Sequence, residues 1–200
     1  MSSVREPIKK SSIEKKNRII EKGFELMCNK GYHNVSCVDI AKSAGVSTGI
    51  IYQYFKDKRD IFIAGVKDYS DKIMFPMISV FEAKQLDFNN LDAVLSKMID
   101  KFIMLHTISR QAHEELMAMS YLDQDIAAIF HERELLASER IANILIDNGF
   151  KIKNVEEKTH IIYGLIDNYC HEVVYHKHEF LDYDVMKKNI IDIIVFSLTN

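Results

Sequence analysis

The chain has 200 residues, 48% of them hydrophobic, with only two prolines and seven glycines, which fits one sizeable core or a small module fused to a larger one. Its formal net charge of −3 is unevenly spread: residues 1–65 hold 12 Lys+Arg against 7 Asp+Glu, and the remainder 14 against 22, so a polyanionic partner is expected to meet the N-terminal third. Cys28, Cys37 and Cys170 form no Cys-x-x-Cys pair, and no signal-peptide core or apolar run of roughly 20 residues occurs, so the expected setting is a reducing cytoplasm, without disulfides or membrane association.

Apolar residues recur at helical rather than alternating spacing, which predicts an all-α chain. A first helix is expected from about Ser11, where Ser11-x-x-Glu14 has capping-box spacing, with an apolar stripe of Ile13, Ile20, Phe24 and Met27 and a stop at Gly31. Ser36 should cap a short helix holding Val38, Ile40 and Ala41, which Gly45 ends; Ser47 should cap the next. Asp57 and Asp60 open a longer helix with Ile61, Phe62, Val66 and Ile73 along it. Pro76 falls inside that pattern and should kink or end it at about Phe75. Further helices are expected over about 90–108, 110–121, 124–148, 155–178 and 183–198, separated by Asn89-Asn90, Asp123, Asn148-Gly149 and Leu181-Asp182. That makes about nine helices, with a compact helix-turn-helix inside the first three.

The residues of that segment resemble the DNA-binding domain of the tetracycline-repressor (TetR) family. The resemblance is carried in register by Lys30-Gly31-Tyr32, Ser36, Ile40-Ala41, Ala44-Gly45-Val46-Ser47, Gly49, Tyr52-Gln53-Tyr54-Phe55 and Lys58. It covers about a quarter of the chain, residues 15–62, and implies an N-terminal DNA-binding domain (1–56) followed by a larger helical domain for effector binding and dimerisation (57–200). The chemistry of these positions agrees. Gly45 can take the positive φ of a tight inter-helix turn. Ser36 and Ser47 supply cap oxygens near which phosphate can bind. Thr48, Gly49 and Gln53 sit where a helix tip would meet base edges, Gln53 being able to pair bidentately with adenine. Tyr52, Tyr54 and Lys58 suit phosphate contact, and either tyrosine could instead pack inward. Lys9, Lys10, Lys15, Lys16 and Arg18 form either a DNA-reaching arm or an ordinary solvated face.

No comparable motif follows. The remainder is rich in methionine and aromatics, which suits an adaptable apolar cavity, and the resemblance implies an effector pocket there. Its candidate lining is Met74, Phe81, Phe102, His106, His113, Met117, Tyr121, Phe130, Tyr163 and Asp167, with His131 and Asn168 as further polar candidates. Two late helices are strongly apolar, and the resemblance implies a two-fold dimer interface from them, with Ile162, Ile166, Val173, Ile190 and Ile194 as candidates. His171 and His176 are five apart, not the four a zinc-protease helix needs, so no metal and no cofactor is expected. No nucleophile–base pattern points to an enzyme. The expectation is a homodimeric regulator on a palindromic double-stranded operator, a repressor released by a small apolar or amphipathic ligand. The alternatives are a regulator controlled by a protein partner, or an enzyme built on the C-terminal helices.

Overall fold

In a computed structural model the described residues are 7–82, 86–87, 89–108 and 110–199, with the side chains of 73–78, 80–82 and 108 outside that description. Helices account for the regular structure among them: α1 (Lys10–Lys30), α2 (Cys37–Ser43), α3 (Thr48–Tyr54), α4 (Lys58–Glu82), α5 (Leu91–Ile108), α6 (Arg110–Leu122), α7 (Gln124–Asp147), α8 (Val155–Tyr175) and α9 (Tyr183–Thr199). A 3-10 turn at Tyr32–Asn34 links α1 to α2. No helix among the described residues is long and apolar enough to cross a membrane.

Local chemistry explains most boundaries. α2 starts with a complete capping box, Ser36 and Asp39 each reaching the other's backbone N–H. It ends on Gly45 at φ 64°, where the N–H groups of Gly45 and Val46 donate to Lys42 and Ala41 carbonyls, the paired bonds of a Schellman stop. α7 ends the same way at Gly149, φ 84°, with Phe150 N–H donating to Leu145. Asp57 Oδ1 accepts from the N–H groups of Arg59 and Asp60 and so caps α4.

Two expectations need correction. α1 starts at Lys10 on an uncapped Lys9, so the Ser11-x-x-Glu14 spacing makes no capping box; Ile13 is 42% exposed, and the inward stripe is Ile19, Ile20, Gly23, Met27 and Cys28. α4 does not stop at Phe75 but runs through Pro76 to Glu82; one missing N–H did not terminate a helix of 25 residues.

The chain divides into two compact units, 1–70 with 111–129 and 71–110 with 130–200. The first unit takes in α6 and the start of α7 along with the helix-turn-helix. Its core joins Ile19, Met27, Ile40, Ile51, Ile61 and Phe62 with Leu116 and Ile126. Arg59 fastens α4 to the α6–α7 corner by a bidentate pair with Asp123 (2.6 and 2.8 Å) and a third bond to Asp125. In the second unit α5, α8 and α9 pack together around Leu95, Met98, Phe102, Ile166, Cys170 and Ile194. Tyr169 donates to the Tyr183 carbonyl and Tyr183 to Glu172, closing the α8–α9 corner.

Candidate nucleic-acid interface

The helix-turn-helix is α2–α3, and α3 has two faces of opposite character. Ile51, Tyr54 and Phe55 are 0–7% exposed and hold α3 against α2. Gly49, Tyr52 and Gln53 lie on the outer side, Tyr52 at 52% exposure, with Thr48 half-buried at the helix start. Among the expected contact residues, Ser36, Ser47, Thr48, Gly49, Tyr52 and Gln53 therefore share an accessible surface.

Gly49 has an ordinary negative φ, and a methyl group added to it would find nothing nearer than Ser47 Oγ at 4.0 Å. The fold itself places no demand for glycine there. Ser47 makes no side-chain cap bond, contrary to the expectation, whereas Ser36 does cap and donates to Asp39 Oδ2. That bond holds the Asp39 carboxyl below its usual range. The Tyr52 hydroxyl bonds the Cys37 thiol across α2 and α3, which pushes the phenol above its usual value and keeps it a neutral hydroxyl.

Other expected contacts are spent on architecture. Tyr54 is 7% exposed and belongs to the core. The Lys58 ammonium donates to the Tyr32 and Val35 carbonyls at 2.7 and 2.8 Å and lies 4.5 Å over the Tyr32 ring, closing the α1–α2 turn onto α4. Arg18 donates to the Ala44 carbonyl at 2.9 Å and supports the end of α2. Lys16 lies 5.9 Å from the Phe55 ring centre.

A family profile described as "Bacterial regulatory proteins, tetR family" matches residues 19–64, which bracket this helix-turn-helix. Residues 19–64 form a DNA-binding domain of the tetR family. The chain is a DNA-binding transcriptional regulator. The fatty acid metabolism regulator protein of Bacillus subtilis (strain 168) is 24% identical over 190 residues, 92% of this chain and 95% of that one. HbdR of Aromatoleum sp. (strain CIB) is 41% identical, but over 58 residues, 29% of this chain and 25% of HbdR. The crystal structure of a TetR-family regulator from Mesorhizobium loti superposes with TM-score 0.73 at 17% identity, covering 95% of this chain and 97% of that one. The shared fold thus extends over nearly the whole chain, while the 41% identity is confined to 58 residues.

The candidate effector residues fall in both units. Met74 and Phe81 lie outside the described side chains. His113, Met117 and Tyr121 belong to the unit that contains the helix-turn-helix, and Tyr121 is 84% exposed. His131 and Asn168 are also exposed. Phe102, His106, Phe130, Tyr163 and Asp167 belong to the second unit. Among them, the Phe102 and His106 rings touch on α5, and the Asp167 carboxylate on α8 lies within electrostatic reach of His106 and Tyr163. Sequence reasoning missed His171 and Tyr175, which continue that side of α8. The spacing Tyr163-x3-Asp167-x3-His171-x3-Tyr175 was the available signal.

The dimer candidates lie mainly in the subunit core. Ile162, Ile166, Ile190 and Ile194 are 0–7% exposed within one subunit and Val173 is half-buried; the first four make the α5–α8–α9 core. The large apolar residues that α8 and α9 leave in solvent are Ile161 (68%), Val185 (52%), Ile193 (56%) and Phe196 (70%). The sequence sets Ile161 beside Ile162 and Ile193 beside Ile194, and only the rotation of each helix separates them. His171 Nδ1 lies 3.5 Å from the Asp167 carboxylate and His178 Nε2 3.9 Å from that of Glu172.

Proposed function

We propose that this chain is a homodimeric operator-binding repressor whose base contacts come from Thr48, Gly49 and Gln53 on α3. Ser36, Ser47 and Tyr52 take the flanking phosphates. The reading head ends near residue 56, and the helices of 57–200 bind a small amphipathic effector and pair the subunits through α8 and α9. Release from DNA then requires that the effector bind the DNA-incompetent arrangement better. The supporting observation is the two-faced character of α3, above all a glycine on its outer side that the fold does not need.

Selection of double-stranded DNA from a random pool by the purified protein tests this reading. A palindromic motif is expected. On the selected site Gly49→Ala should weaken binding about tenfold while leaving the fold intact or slightly more stable, since alanine favours a helix by up to about 1 kcal/mol. Gln53→Ala should relax base preference at one position of each half-site, at a cost of about 1–3 kcal/mol. Selection without a motif, or unchanged affinity in both variants, would remove α3 as the reading helix.

A further inference from the structure

Along α8, Tyr163, Asp167, His171 and Tyr175 follow at four-residue intervals, which sets each beside the next in a row that winds gradually around the helix. Across from it α5 presents Phe102 and His106, their ring centres 4.3 Å apart. The His106 ring lies 5.1 Å from that of His171 and 6.3 Å from that of Tyr175. His106 Nδ1 pairs with the Phe102 carbonyl at 2.9 Å, and the Tyr175 hydroxyl donates to the His106 carbonyl at 3.2 Å. Tyr175 already offers a ring to a cation, the Arg110 guanidinium, at 5.8 Å.

Asp167 is the exception in this well-tied group. Its side chain is 29% accessible although protein surrounds it densely. Among the described residues no donor hydrogen-bonds to its carboxylate, and His171 Nδ1 stands at a long ion-pair distance of 3.5 Å. A carboxylate that water reaches only in part, and that no protein donor serves, is under-solvated. The charged groups that face it do not compensate: Glu134 on α7 adds a second negative charge, and burial holds both His106 and His171 below the ordinary histidine value, so they are neutral near pH 7. An anionic headgroup would meet two carboxylates here, and a neutral apolar one would leave Asp167 desolvated and unpaired.

We infer that this side of α8, with His106 of α5, holds the headgroup of a small organic cation, an amine or alkylammonium with an apolar tail, with Asp167 as its counter-ion and Tyr175 as an aromatic wall. The inference rests on the reading of the C-terminal helices as effector-binding. It narrows an amphipathic effector to a positively charged one.

The test is calorimetric titration of the full chain with three probes of equal tail length: octyltrimethylammonium, octanoate and octanol. The ammonium should bind about tenfold or more tightly than octanoate. Asp167→Asn should remove at least about tenfold of the ammonium affinity while leaving octanol binding unchanged. The wild-type protein gives an independent arm that needs no variant: ammonium affinity should fall between pH 7.5 and pH 5 as the carboxyl takes up its proton, and octanol affinity should not. Octanoate binding as well as the ammonium, indifference of Asp167→Asn, or no binding by any probe each overturns the cation site. The effector reading is judged separately, by whether a probe that binds, of whatever charge, lowers operator affinity.

Discussion

At the scale of single residues, the clearest energetic statement concerns Asp167. Burial is the main cause that pushes its carboxyl up to about 6 from an ordinary 3.8, Glu134 adding to it and His106 opposing. The folded state therefore holds the proton more tightly than the unfolded chain, so stability falls as pH rises from about 4 to about 6 and the penalty is constant above that. Asp167→Asn should raise stability at pH 7.5 by on the order of 1–2 kcal/mol, and the gain should shrink towards zero near pH 4. Thermal unfolding followed by circular dichroism at the two pH values reads this. A variant equally destabilised at both would mean that His171 compensates the charge. Stabilisation on removing a carboxylate, with loss of cation binding, is the expected signature of a residue kept for function rather than for folding. Residue identity was legible in the sequence here, and direction was not. Lys58 was read as a phosphate contact from its type and register, but its ammonium is held by the Tyr32 and Val35 carbonyls. Tyr52 and Tyr54 are two apart on a seven-residue helix, which puts one outside and one inside.

At the scale of elements, the reading head depends on a close approach of α1 and α4. A Cβ built on Gly65 would land within the Phe24 side chain, against its Cβ as well as its ring, and one on Gly23 would come within 2.8 Å of Ile61. Phe24 cannot swing away freely, because its ring packs on Phe62 at 5.5 Å and Tyr69 at 6.0 Å. Gly65→Ala gains up to about 1 kcal/mol of helix propensity but overpacks the crossing at a cost of roughly 1–3 kcal/mol. The expected net result is a melting temperature lower by roughly 2–6 °C. It contrasts with Gly49, where the same substitution has open space. A rise in melting temperature for Gly65→Ala would show that the crossing is loose. Helix existence was well marked in the sequence by apolar periodicity, and the breaks at Gly45 and Asn148-Gly149 were marked by the positive φ that each glycine adopts. The failures, Ser11 and Pro76, were local signals overridden by tertiary context, which a spacing rule does not contain.

At the scale of the whole molecule, what could not be read was which distant residues meet. Arg59 and Asp123 are 64 positions apart, and nothing in either neighbourhood announces that α6 would join the reading-head unit. The residues expected to pair two chains lie mainly inside the core of one subunit. Ile194 is fully buried and its neighbour Ile193 is 56% exposed, a separation of roughly 100° around the helix axis. Exposed Ile161, Ile193 and Phe196 on adjacent helices form an apolar surface that a second copy can cover isologously. Ile193→Asp should leave helix content unchanged, because the side chain is not in the subunit core, and should convert a dimer to a monomer in sedimentation velocity. Operator affinity should then fall by about 100-fold or more, since two half-sites are no longer bound by one linked particle. Ile194→Asp is the informative companion: it buries a charge in the α5–α8–α9 core and should lower helix content and solubility together. If Ile193→Asp stays dimeric and Ile194→Asp alone disrupts, the apolar surface of α8 and α9 is not the subunit contact, and the pairing of reading heads must arise elsewhere in the chain.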